Sequence, residues 1–419
     1  MRGAAGWLRC RPGYVGVALE LSAPGERRNT ARMRTLLHGG GVLDARGGSV
    51  SAADITVEDG RIVEVAAGLD GDEGVDCSGL TLVPGLIDCH AHMAFAGPDD
   101  SNRPPTYRLL EAAPKLRRTL QLGVTTVRDA WGADAGLRDA IDAGLVAGPR
   151  LLVSLAQLCG TGGIGDHFRP DIGEYHGVLG SPHLPRGVFD GPVQARNAVR
   201  RMVRSGADVI KVTATGSMTK PQTADLLQVA DDELAEIVAE AARAGRHVMV
   251  HAHGARAAEA AARAGARSIE HGARLDEQAA AVLAETGTWL VPTLLASQVC
   301  ENPQPDWFPE AQQTAGQAFR WALQAGVPIA MGTDCPMMPH ERRLEELGHM
   351  HRLGMAPPDV WRAATYDAAR LLDRDDIGLL EPGRRADIVA LRGQVTSLDD
   401  LDERIAWVRK DGQLVPAGG

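Results

Sequence analysis

Aromatic side chains are scarce in this chain: Phe, Trp and Tyr together make up 4% of its 419 residues. The core must therefore rest on Val, Leu, Ile and Ala. Basic clusters are missing as well. With a net charge of −10, the chain lacks the electrostatic footprint of a partner for nucleic acid or anionic membranes. No apolar run approaches the ~18–20 residues of a membrane-spanning helix. The six cysteines (Cys10, Cys77, Cys89, Cys159, Cys300 and Cys335) form no CxxC pair. They read as reduced thiols of a cytoplasmic protein rather than as a disulfide frame. A secretory leader is not expected, because the apolar stretch Gly16-Val17-Ala18-Leu19 is cut short by Glu20. Residues 1–32, rich in Gly, Arg and Pro, are expected to be a disordered extension or the product of a misplaced start codon. Met33-Arg34-Thr35-Leu36-Leu37 reads as the true opening strand.

What is present is a regular alternation. At 44% hydrophobic and 23% charged residues, the chain can bury one large α/β domain and a smaller one. Short strands run from Leu36 to Val83, and Asp59-Gly60 between two alternating runs signals a hairpin. The tail has the same texture, in Ala386–Leu391, Ile405–Arg409 and the turn Lys410-Asp411-Gly412-Gln413. Neither piece can hold a core alone, so residues 33–83 and 383–416 are expected to form one small β-sandwich domain. Between them, over 84–382, strand and helix alternate eight times. The strand candidates are 86–92, 123–128, 150–155, 207–213, 247–252, 267–270, 288–293 and 327–332. Asp231–Ala244, Ala255–Ala264 and Asp276–Glu285 carry helix start and stop signals, with Gly245, Gly265 and Gly287 at their ends. Eight βα units predict a closed (β/α)8 TIM barrel. The rival, an open doubly wound sheet, lacks a GxGxxG turn after its first strand. Residues 156–190, 214–230 and 296–310 are long loops after strands, where a barrel builds its substrate pocket.

Chemistry-bearing residues collect at one end of these strands. His90 and His92 close the first, and residues i and i+2 of a strand share a face, so two imidazoles stand side by side as a divalent metal requires. The fourth strand carries Lys211 inside an apolar run, the fifth ends in His251, the sixth in His271, and the eighth in Asp334. A lysine buried there is costly as a cation, so its pKa falls toward neutrality. The neutral amine can take up carbon dioxide, giving an anionic carbamate with two oxygens able to bridge two cations. An ordinary buried lysine paired with a carboxylate is the plainer alternative.

Pro84-Gly85-Leu86-Ile87-Asp88-Cys89-His90-Ala91-His92 resembles the opening signature of the amidohydrolase superfamily. Val127-Arg128-Asp129, Gly148-Pro149-Arg150, Ile210–Gly216, Val250-His251-Ala252-His253-Gly254, Ser268-Ile269-Glu270-His271-Gly272 and Gly332-Thr333-Asp334 are similar to its imidazolonepropionase-like branch, which includes binuclear Xaa-Pro and other dipeptidases. The tail Leu380–Asp387 resembles the motif that leads back to the small β-domain. The resemblance spans about residues 34–412. It implies that His90, His92 and Asp334 hold one metal and His251 and His271 a second, with N6-carboxylated Lys211 between them. Zinc is the default for such nitrogen-rich donors. It implies further that a hydroxide between the metals attacks a carbonyl while catalytic Asp334 carries the proton to the leaving amine.

The implied substrate is a small molecule, a dipeptide or N-acyl amino acid, and a homo-oligomer is expected for an enzyme of this size. Alternatives are a mononuclear imidazolone hydrolase or deaminase, a lactonase, esterase or organophosphate hydrolase on the same metals, and a catalytically dead scaffold. The loop Thr161-Gly162-Gly163-Ile164-Gly165-Asp166 departs from some relatives, which carry histidine in place of Ile164. Asp166, His167 and Arg169 are candidate substrate contacts there. His253 is a candidate substrate contact or a support for the ligands. Met337, Met338 and His340 could line the pocket, and Trp307, Phe308 and Tyr175 could shape specificity. Cys89 and Cys335, beside ligands, are expected to face away as packing residues.

Overall fold

The computed structural model describes residues 33–95, 104–169, 173–174, 184–218, 221–299, 306 and 308–417. The proposed 1–32 extension, Tyr175 and Trp307 lie outside them, as does the side chain of Arg169.

Two sheets form from the chain ends. One orders the strands Arg61–Ala66, Asp54–Glu58, Thr35–His38 and Glu73–Asp76. The other orders Gln413–Leu414, Ile405–Lys410, Ile388–Arg392, Leu80–Pro84, Gly41–Leu43 and Val50–Ala52. Ile388 pairs with Pro84 and Val389 with Val83, so tail and head share one sheet. Leu37, Ile55 and Ile62 from the first sheet and Leu82, Ile388 and Ala390 from the second belong to one buried cluster. The Asp59-Gly60 turn has both residues at positive φ, 50° and 77°, the geometry of a two-residue hairpin that glycine adopts without steric cost.

Apart from a short antiparallel pair, Phe168–Arg169 with Gly173–Glu174, the remaining strands pair in parallel. Arg150–Val153, Val124–Asp129 and Leu86–Ala91 form one sheet. Val188–Phe189, Gln157–Gly160, Ile210–Thr213, Val248–Gly254, Ser268–Arg274 and Trp289–Val291 form the other. Helices Asp231–Arg243, Ala255–Arg263 and Glu277–Thr286 cover the second sheet. They pack through small residues such as Ala257, Ala258, Ala261 and Ala262, which lets helices approach closely and explains how so few aromatics suffice. Asp276 caps the last of these helices by accepting from the Ala279 N–H, and Gly287, at φ 67°, ends it.

Two expectations need correction. Residues 327–332 are not a ladder strand. That segment makes a single parallel bridge, Leu290 to Ile329, and the turn after it another, Ala91 to Cys335, together with hydrogen bonds such as Cys89 N–H to Met331 O (2.9 Å) and Ala330 N–H to Leu290 O (3.0 Å). It thereby joins the two parallel sheets. The third strand stops at Val153, and the supposed loop beyond it contains a buried strand, Gln157–Gly160, beside Lys211. Leu155, at φ 70°, breaks what looked continuous from Arg150.

Arg150, 8% exposed, ties the parallel sheets to the chain-end sheets. It donates to Thr126 Oγ1 (2.9 Å), Asp387 Oδ2 (3.0 Å) and Asp411 Oδ1 (3.0 Å).

Candidate metal centre

The two strand-end histidines share a face as their spacing requires, with ring centroids 5.4 Å apart. The chain bends sharply where the other donors sit. His271, Thr293 and Asp334 have φ of 72°, 48° and 56°, a left-handed region that non-glycine residues occupy only at a cost of about 1–3 kcal/mol each. These bends turn His271 and Asp334 inward. His90, His271 and Asp334 each offer an atom within 4.8 Å of the other two. Asp334 Oδ1 also lies 3.0 Å from His92 Nε2 and 3.4 Å from His90 Nε2.

Four histidines have one ring nitrogen held by a fixed group. His90 Nδ1 meets Glu270 Oε2 at 2.6 Å, and His92 Nδ1 meets the Trp131 carbonyl at 3.1 Å. His271 Nδ1 meets Thr293 Oγ1 at 2.7 Å, and His251 Nε2 meets the Gly216 carbonyl at 3.0 Å. Such partners orient the rings, as the outer partners of metal-ligating histidines do, while Nε2 of His90 and of His92 turns to Asp334. Burial pushes His251 and His271 well below the ordinary histidine range, with His253 and His251 respectively adding to it. Neutral imidazole is the form that binds a metal. Burial alone would raise Asp334, but the hydrogen bonds from His90 and His92 outweigh it and hold the carboxylate well below its usual range. The chemistry of this donor set fits divalent cations.

Lys211 is 2% exposed, and burial lowers its pKa to about 8. The carboxylates of Glu270 and Asp334 lie near enough to oppose that shift, although Glu270 is paired with Arg128 and His90 and Asp334 with His90 and His92.

Below the histidines lie groups whose roles the sequence did not reveal. Glu270 is fully buried and accepts from His90, Arg128 Nη2 (2.9 Å) and Ser268. Arg128 also donates to the Cys89 carbonyl at 2.6 Å. Asp88 accepts from the His90 and Thr333 N–H groups, from Thr333 Oγ1 (2.7 Å) and from Arg343 (3.1 Å). One buried carboxylate thus fastens both the His90 strand and the Asp334 turn. Glu270 and Arg128 stood inside motifs already noted. Their strands, Val124–Asp129 and Ser268–Arg274, carry other polar residues, so neither stood out as Lys211 does in its apolar run.

His90, His92, Lys211, His251, His253, His271 and Asp334 all line one cavity of about 600 Å³, with Phe95, Trp131, Gln157, Ile164, Asp166 and Met337 in its walls. Asp166 therefore reaches the cavity, while the His167 ring packs 5.8 Å from Trp131. His253 stacks on His271, centroids 5.0 Å apart. Met338 instead packs with Leu295 and Cys335, and His340 is buried against Arg343 at 2.6 Å. Phe308 is buried at the start of its helix. Cys89 and Cys335 are fully buried in apolar clusters, as packing residues.

Residues 81–415 match the Amidohydrolase family, and the chain belongs to that family. It is an enzyme of the amidohydrolase superfamily. In sequence it is similar to an ochratoxinase of Aspergillus niger, 34% identical over 372 residues that cover 81% of this chain and 76% of that protein. It is also similar to an imidazolonepropionase of Cutibacterium acnes, 26% identical over 76% of this chain and 78% of that one. In structure it resembles a prolidase complexed with N-methylphosphonate-L-proline (32% identity, TM-score 0.82, 91% of this chain and 99% of the other). A Xaa-Pro dipeptidase with methionine bound in its active site is similar to a like degree (30%, TM-score 0.81, 91% and 99%). No helix among the described residues is long and apolar enough to cross a membrane.

Proposed function

We propose that the protein is a binuclear metal-dependent hydrolase of amide bonds in small substrates, dipeptides or N-acyl amino acids. The observation that carries this reading is the convergence of His90, His92, Lys211, His251, His271 and Asp334 on one cavity. The relatives support it, since a prolidase, a Xaa-Pro dipeptidase and an ochratoxinase are among them. The finer fold reading goes with it: a closed (β/α)8 barrel over 84–382, and a β-sandwich built from 33–83 and 383–416.

His90, His92 and Asp334 would hold one divalent metal, His251 and His271 the other, and Lys211, carboxylated on Nζ, would lie between them. Zinc suits the imidazole-rich set. The metals, when bound, acidify water and polarise the scissile carbonyl. The chain's own residues do the rest. Asp334, held ionised by its histidine neighbours, accepts the proton of the attacking water on a carboxylate oxygen and delivers it to the leaving nitrogen. Glu270 and Thr293 keep His90 and His271 in one orientation throughout, and with water as the attacking group no protein nucleophile is needed. Phe95 and Trp131 close one wall of the cavity against bulk water.

The test is metal content of the purified protein, intact mass under bicarbonate, and amine release from a panel of dipeptides and N-acyl amino acids. Two metals per chain, a carbon dioxide adduct that Lys211→Ala abolishes, and amine release from the panel are expected. One metal per chain with activity indifferent to Lys211, or release of ammonia from a heterocyclic substrate, overturns the reading.

A further inference from the structure

Thr293 stands at the head of a short helix, Leu294–Gln298, a place where a threonine side chain ordinarily accepts from the helix's first free N–H groups. Here it makes no such bond. Its hydroxyl is turned to His271 Nδ1 instead, 2.7 Å away. Leu294 and Leu295 are 1% and 0% exposed, so water cannot meet their N–H groups, and another acceptor is required.

That acceptor comes from outside the helix. Glu346, on helix Glu345–Arg352, accepts the Leu294 N–H on Oε1 (2.9 Å) and the Leu295 N–H on Oε2 (2.5 Å). Glu346 is fully buried, and Arg343, one turn before it, is committed to Asp88 and His340. Burial pushes the Glu346 pKa up to about 8, with Asp88 and Asp334 adding to the rise and the Leu295 and Leu294 N–H groups opposing it. A carboxyl group this costly to bury marks a place where the fold needs an acceptor.

Its two bonds bear directly on Thr293. The Leu294 N–H belongs to the peptide plane that follows Thr293, so anchoring it fixes the Thr293 ψ at 49°, beside a φ of 48°. A β-branched residue adopts that left-handed conformation only under constraint. The same turn carries part of the cavity wall, because Thr293, Ala296 and Ser297 all line it, whereas Glu346 does not.

We propose that Glu346 is a positioning residue of the hydrolytic site. By capping the Leu294–Gln298 helix in place of Thr293, it frees the Thr293 hydroxyl to hold His271 and sets the wall formed by Ala296 and Ser297. This rests on the amide-hydrolase reading with His271 as a metal ligand, and it adds the group on which the orientation of that ligand depends. Without Glu346, the Thr293 hydroxyl turns back to the helix N–H groups and His271 loses its tie.

The test is a double-mutant cycle on Glu346→Gln, Thr293→Val and the two combined. Glutamine keeps the size of the side chain but sets an N–H₂ against one of the helix N–H groups. In the metal-free Glu346→Gln protein, amide hydrogen exchange should quicken about tenfold in a peptide spanning residues 292–298, with the strand Val248–Gly254 unchanged. In zinc titrations, one of the two ions should bind about tenfold more weakly in Glu346→Gln and in Thr293→Val alike, and no more weakly in the double variant. Additive losses in the double variant would show that Glu346 does not act through Thr293 and overturn the proposal. Unchanged exchange in the 292–298 peptide, or unchanged zinc affinity in Thr293→Val, overturns it too. Should Glu346→Gln not fold, Glu346→Asp takes its place in the cycle, because its carboxylate is drawn back from both N–H groups by one methylene. A wild type that binds no zinc and releases no amine sinks the hydrolase reading instead, and the exchange result then still decides whether Glu346 holds this turn.

Discussion

Replacing Glu270 by glutamine removes one negative charge from a fully buried site and changes little else in shape. Glu270 accepts from His90, Arg128 and Ser268 at once. Burial would raise its pKa, yet Arg128 and the His90 hydrogen bond override this and hold it at about 2, against 4.5 for a free glutamate. A carboxyl that ionises near 2 when folded and near 4.5 when unfolded stabilises the fold by about 3 kcal/mol at neutral pH. That contribution is complete above pH 4.5 and is lost as pH falls toward 2. In the Glu270→Gln variant the new amide presents an N–H₂ to either Arg128 or His90 Nδ1, so the change also disturbs the hydrogen bond that orients His90.

The expected result for metal-free protein is a Tm about 5 °C below wild type at pH 7. The gap should close as the pH is taken from 4.5 toward 2, followed by thermal or urea unfolding at each pH. Metal affinity at neutral pH should drop about 10- to 100-fold. A gap of constant size across that pH range would refute the charge argument. Unaltered metal affinity would refute the claim that Glu270 orients His90.

Gly332→Ala places a Cβ 2.3 Å from Val291 Cγ1 and 2.8 Å from His90 Cβ, so His90 must shift. A loss of about 1–3 kcal/mol and a lower metal content by elemental analysis are expected. Arg150→Met strands the buried Asp387 carboxylate and should cost about 3–5 kcal/mol, read as a lower Tm, while the protein that remains folded keeps its metal stoichiometry. Burial pushes the Cys159 and Cys335 thiols up to about 12 and Cys89 higher still. Iodoacetamide at pH 8 should leave all three unmodified in native protein, and peptide mapping that found label on any of them would contradict the packing described.

The metal-type donors were legible in the sequence because strand geometry is local. His90 and His92 share a face by their spacing alone, and Lys211 stands out in an apolar run. Tertiary partners were harder. Glu270 precedes His271 and looked like its neighbour, but it serves His90, which is 180 residues away in the chain. Gln157 was lost in a stretch read as loop, because the left-handed Leu155 interrupts the period on which strand reading depends. The segment 327–332 has the composition of a strand and misled for the opposite reason. It carries the Asp334 turn and spends its backbone hydrogen bonds on neighbours on both sides, at single points instead of along a ladder.

The tethers behind His90, His92, His251 and His271 also bear on how the protein is loaded. With the rings already oriented, the cluster is assembled without a cation. On the proposed metal-dependent reading, capture would then need little rearrangement beyond breaking the contacts of His90 and His92 with Asp334. One ion could be exchanged for another of similar size without remaking the cage.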